Sequence, residues 1–138
     1  MLVVRPAMGE RALAGEMRAQ TSQRAVDASR TAMSLTETAM GDSLELLQQA
    51  REALVAAGNA SYSDQERSNL AEKIKAIRNQ LLSVANRSDG AGSYLFGGQG
   101  ATTQPFVDAP GGVAYKGVSG ERRTEAGTDL PLTVMPMR

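Results

Sequence analysis

One apolar position recurs every seven residues through the first part of the chain: Ala12, Ala19, Val26, Met33, Met40, Leu47 and Leu54. Sustained spacing of this kind is the signature of a helix that lies along other helices, because it keeps one stripe facing a partner over many turns. The surrounding residues are mostly Ala, Leu, Met, Gln, Glu and Arg, all good helix formers, from Ala7 to Ala57. Gly15 and Gly41 are the weak points of that helix, each costing about 1 kcal/mol relative to alanine. A continuous helix over 7–57 would run about 75 Å. The predicted seam has Val26, Met33, Met40, Leu47 and Leu54 at its centre. Its flanks are small: Ser22, Ser29, Thr36, Ser43, Ala50 and Ala57 on one side, Ala25, Ala32, Ala39, Leu46 and Ala53 on the other.

Gly58 and Asn59 supply a stop, and Ser63-Asp64-Gln65-Glu66 reads as a capping box that opens a second helix over about 64–87. Its apolar residues Leu70, Ile74, Ile77, Leu81 and Val84 are spaced four, three, four, three. The two helices are expected to form a long antiparallel, coiled-coil-like hairpin. The second is shorter, so Ala12, Ala19 and Val26 need another partner.

Glycine and proline divide the chain sharply, with 10 of the 14 glycines and 4 of the 5 prolines in 90–138. Short β-prone runs follow Gly92, at Tyr94–Phe96, Phe106–Val107, Val113–Lys116, Glu121–Ala126 and Leu132–Val134, with turns at Pro110–Gly112 and Gly117–Gly120. The fold class is therefore mainly α with a small β lobe: a helical stem over 7–89 and a Gly-rich antiparallel β subdomain over 90–134. Tyr94 and Phe96, two apart, are expected to point one way from a strand and pin the lobe to the stem.

Composition removes most enzyme chemistry. The chain has no cysteine and no histidine, which excludes thiol nucleophiles, Ser/His/Asp triads and zinc held by Cys or His. Formal charge is zero, and the basic residues are interspersed with acidic ones, so no nucleic-acid footprint is visible. Leu2, Val3 and Val4 fall far short of a leader core or a membrane span. Gly97-Gly98-Gln99-Gly100 lacks the Lys-Ser/Thr and helix of a phosphate loop and reads as a turn. The expectation is a protein with no catalytic site, cofactor, metal, nucleic acid, membrane or small-molecule substrate.

The run Ala85-Asn86-Arg87-Ser88-Asp89-Gly90-Ala91-Gly92-Ser93-Tyr94-Leu95-Phe96-Gly97-Gly98 resembles the hook-associated protein 3 family of the flagellin superfamily. Leu46–Glu52 and Asn59–Arg67 upstream, and Pro105-Phe106 and Val113–Gly117 downstream, extend the resemblance over about residues 18–126. It implies a stem–lobe junction built on Asn86, Asp89, Gly90, Gly92, Tyr94, Phe96, Pro105, Phe106, Tyr115 and Gly117. It further implies an extracellular flagellar subunit, exported without a cleaved leader, that adapts hook to filament. Its partners would be neighbouring hook-associated protein, flagellin and copies of itself. Met1–Pro6 replaces the family's polar lead-in, Val118 stands where an acid is common, and no returning helix precedes Arg138, so the expectation is a fragment without the terminal segments. A filament flagellin fragment or the coiled-coil stalk of a signalling protein are the alternative readings, the Gly-rich lobe weighing against the stalk.

Overall fold

The computed structural model describes residues 6–118, 120–125 and 131–137. The lead-in at 1–5 and the predicted turn and strand-end positions Ser119 and Ala126 lie outside them. Helix α1 runs unbroken over Pro6–Ala57 and α2 over Asp64–Ala85. Four strands follow: β1 Phe106–Ala109, β2 Gly112–Tyr115, β3 Gly120–Glu125 and β4 Pro131–Met137. They form two antiparallel hairpins, β1–β2 and β3–β4.

Helix α1 passes straight through Gly15 and Gly41, and a methyl group added at either would meet nothing within 4 Å. The loop to α2 is closed by Asn59, whose Oδ1 accepts from the Ser61 amide at 3.1 Å and the Ser61 hydroxyl at 2.8 Å. At the start of α2 the capping box forms as the sequence implies. The Glu66 amide donates to Ser63 Oγ at 3.2 Å, and the Ser63 amide donates to the Glu66 carboxylate at 2.6 Å, so two orphan donors are satisfied.

The seam between the helices is displaced by one residue from the expected row. Met33, Met40, Leu47 and Leu54 are 44–60% exposed, whereas Ala39, Leu46 and Ala53 are buried. Facing them, Ile77 and Val84 are buried and Leu70, Ile74 and Leu81 half-buried. The cause is size. Helix α2 brings branched side chains at every seam position, and α1 meets them with its narrow row, Ala39, Ser43, Leu46, Ala50 and Ala53, which lets the axes close. Two polar residues on this side of α1 are satisfied within their own helix, Thr36 donating to the Ala32 carbonyl and Ser43 to that of Ala39, both at 2.8 Å.

Helix α2 returns antiparallel along the C-terminal half of α1, and Arg87 just past its end pairs with Asp42 at 2.9 Å. Below that level α1 is half-buried at Ser22, Ala25, Val26 and Ala32 and buried at Ser29, and strand β3 also makes contact with α1. Val26 is thus partly covered, while Met8, Leu13 and Met17 are 59–71% exposed.

Replacing Gly41 by alanine should raise stability by about 1 kcal/mol, since it adds a helix former to open space. Ser63→Ala should cost about 1 kcal/mol by removing the cap. Urea denaturation followed by circular dichroism reads both, and a loss of stability in Gly41→Ala would show that α1 requires glycine there.

Candidate functional site

The junction between stem and lobe is where the chain's unusual residues converge. Asn86 caps the C-terminus of α2, its own amide donating to the Leu82 carbonyl at 3.1 Å. Its side chain then pairs with both backbone groups of one residue: Oδ1 accepts the Phe106 amide at 2.9 Å and Nδ2 donates to the Phe106 carbonyl at 2.7 Å. A side-chain amide here does the work of a neighbouring strand, and it fixes where β1 begins. Alongside it, the Arg78 guanidinium donates to Asp108, which ties the middle of α2 to the same hairpin.

Between Asn86 and that hairpin the chain makes a compact loop. Asp89 Oδ1 accepts from the amides of Ala91 at 2.8 Å and Ser93 at 3.1 Å, and the Asp89 amide donates to the Ser93 carbonyl at 2.9 Å. Gly90 and Gly92 hold φ of 79° and 91°, the left-handed region where a side chain is strained. The loop needs one acceptor aimed at the amides two and four residues on, which aspartate meets.

The predicted strand at Tyr94–Phe96 is absent. Tyr94 makes a single bridge with Ser88, and the chain turns at once, the Gly97 amide donating to the Tyr94 carbonyl at 3.3 Å. Tyr94 and Phe96 therefore do not share a strand face, and the residue between them enters the core. Leu95 is buried in one cluster with Ala39, Leu46, Ile77 and Val84, and Phe96 packs at its edge, half-buried. Leu95 is also held through its amide, which donates to the Arg87 carbonyl at 2.9 Å.

The β1–β2 hairpin locks onto this turn. Phe106 and Tyr115 are cross-strand partners with ring centroids 5.1 Å apart, and the Tyr115 hydroxyl donates to the Phe96 carbonyl at 3.1 Å. Gly117 leaves room for that ring, since a Cβ there would stand 2.1 Å from the tyrosine oxygen. Pro105 is fully buried and its carbonyl accepts the Lys116 amide at 2.6 Å. Gly98, at φ 84°, faces the Val118 carbonyl so closely that a Cβ would lie 2.0 Å from it.

The structure thus brings all ten predicted junction residues into one region and leaves the α1 row Met33, Met40, Leu47 and Leu54 on the surface. Sequence reasoning missed Leu95, Gly98 and the Arg78–Asp108 and Arg87–Asp42 ties. Leu95 was readable once Gly97-Gly98 was taken as ending the extended run; the ion pairs have no local signal. Among the described residues no group of three or more Asp or Glu could hold a metal, and no helix is long and apolar enough to cross a membrane. What the arrangement does is hold a lobe in register on a helical hairpin.

Leu95→Ala should cost about 3 kcal/mol and Phe96→Ala less, because only the former empties the buried cluster. Thermal denaturation of the two variants ranks them. Asp108 is held below the ordinary carboxylate range chiefly by the Arg78 hydrogen bond, and Glu66 chiefly by the Ser63 amide. Both are lower in the folded chain, so their contribution is present above about pH 4, the ordinary value, and is lost as pH falls through the depressed values. Stability measured against pH should drop on that acid side, and less steeply in Asp108→Asn.

Comparison with known proteins agrees with this architecture. A curated protein, flagellar hook-associated protein 3 of Salmonella typhimurium, is 37% identical over 103 residues, which span 75% of this chain and 31% of that protein. Among solved structures, Xanthomonas campestris FlgL superposes with a TM-score of 0.81 at 25% identity, covering 86% of this chain and 39% of that one. The flagellar junction protein FlgL of Legionella pneumophila superposes at 0.64 with 32% identity, covering 87% and 38%. The chain therefore spans between about a third and two-fifths of the length of these relatives. The family model for the bacterial flagellin N-terminal helical region matches residues 11–101, and the chain belongs to that family.

Proposed function

We propose that the chain is a structural subunit of the bacterial flagellum that joins hook to filament by packing its helices against neighbouring axial proteins and copies of itself. It acts outside the cell, and its part in assembly is helix packing. The observation that carries this reading is the unused face of α1. One row of the helix, small and regular, is filled by α2; a second, equally regular row of large residues, Met33, Met40, Leu47 and Leu54, stands 44–60% exposed. A helix with two heptad faces, one of them left largely exposed among the described residues, is built to meet another helix. The relatives named hook-associated protein 3 and flagellar junction protein supply the setting.

Disrupting the gene should leave hooks without filaments and secreted flagellin in the medium, and immunogold against the restored protein should label the hook tip. Gold along the whole filament would instead assign a filament subunit. In the same assay Met40→Glu with Leu47→Glu should leave stability within about 0.5 kcal/mol, as exposed sites do, yet abolish filament growth. Normal filaments from that variant would remove the large row from assembly.

A further inference from the structure

The exposed row of α1 is mixed in its chemistry. Leu47 and Leu54 are plain hydrocarbons, whereas Met33 and Met40, seven residues apart on the same stripe, carry thioether sulfurs and are 44% and 48% exposed. A thioether is apolar and adapts its shape to a partner, and it is also oxidisable. The chain has no cysteine, so no thiol competes for a two-electron oxidant. The surfaces that hold the stem together are built differently. The buried row of α1 is Ala39, Leu46 and Ala53, and α2 contains no methionine at all. Oxidation of the exposed sulfurs therefore leaves the seam untouched and falls on the outer face alone.

Resting on the reading of that face as the one that docks in assembly, we propose that Met33 and Met40 form an oxidative modification site that gates incorporation of the subunit. In the free subunit a hydroperoxide converts both to sulfoxides, and the modified row no longer docks; once docked, the row is shielded from the same reaction. A sulfur lone pair attacks one oxygen of hydrogen peroxide, the O–O bond breaks as the S–O bond forms, and the other oxygen leaves as water after a proton shift. Sulfur is oxidised by two electrons and the peroxide is reduced by two, so no further reactant is needed. The sulfoxide is strongly polar and accepts hydrogen bonds, which water supplies on the free helix and an apolar partner does not. The two groups lie about 10 Å apart along the helix, so both act on one contact.

The test adds purified full chain to cells whose copy of the gene is disrupted and counts the filaments that grow. After hydrogen peroxide treatment, peptide mass spectrometry should find sulfoxide at both positions while circular dichroism keeps the helix. Filament number should then fall by about tenfold or more, as one or two unpaired polar groups in a contact imply. Met33→Leu with Met40→Leu should keep its count through the same treatment. Met8 and Met17, 71% and 62% exposed, lie outside the row, so Met8→Leu with Met17→Leu should remain as sensitive as the unaltered chain. Methionine sulfoxide reductases should restore the treated chain, and in assembled flagella the two sulfoxides should form about tenfold more slowly than in the free chain, because oxidation follows exposure. An undiminished count from chain carrying both sulfoxides, loss of helix on oxidation, equal sensitivity of the Met33 and Met40 variant, or equal oxidation in assembled flagella would overturn the gate. Each of those leaves the junction reading intact as long as untreated chain grows filaments; untreated chain that grows none sinks that reading and the gate with it.

Discussion

The stem depends on a difference in side-chain size across one helix–helix seam. Helix α2 offers Leu70, Ile74, Ile77, Leu81 and Val84, and α1 answers with Ala39, Ser43, Leu46, Ala50 and Ala53. Large residues against a row that is small except at Leu46 let the axes approach and fill the space between them at interior density. If α1 turned its methionines and leucines inward, the same five α2 side chains would have to share the interface with residues of their own size, and the helices would be pushed apart. The choice of the small row also decides what remains outside. Because α1 spends its alanines on α2, its large row is left facing away, and the outer surface of the hairpin acquires its character from an interior packing rule.

The same seam sets the position of the lobe. Leu95 enters the cluster formed by Ala39, Leu46, Ile77 and Val84, so the first residues after α2 are anchored in the hydrophobic core that the helices create. Polar groups then fix orientation: the Asn86 amide pairs with both backbone groups of Phe106, and Arg78 reaches Asp108 from the exposed face of α2. Exposed ion pairs contribute little individually, while the neutral amide pair is half-buried and satisfies groups that would otherwise lose water. Anchoring and orientation are therefore divided between an apolar side chain and a polar one separated by nine positions.

What the sequence made legible follows from how local each signal is. The capping box at Ser63–Glu66 involves four consecutive residues and forms as written. The α2 seam was readable because its apolar residues are few and large. The α1 seam was not, because two adjacent rows both repeat every seven residues, and hydrophobicity favours the large row while packing against α2 favours the small one. Periodicity gives direction without depth. At Tyr94–Phe96 the alternation suggested a strand, but Gly97-Gly98 allows a turn that reverses the chain before a second pair of ladder bonds can form. The contacts of Arg78 with Asp108 and Tyr115 with Phe96 join residues distant in the chain, and nothing in either neighbourhood announces the other.

A lobe held in this way shares its foundation with the stem. The β1–β2 hairpin is joined through Phe106 and Asp108 to Asn86 and Arg78, and α2 is joined to α1 by the seam and, at its end, the Arg87–Asp42 pair. The glycines at 90, 92 and 98 are among the six described positions where the backbone takes positive φ, and hydrogen bonds beside them fix the turns. Flexibility of residue type is thus converted to rigidity of structure: the glycines permit conformations that Asp89, Ser88 and the Val118 amide, which donates to the Gly97 carbonyl, then hold. A junction of this kind transmits orientation from helices to lobe, which is what a subunit joining two lattices would require of it.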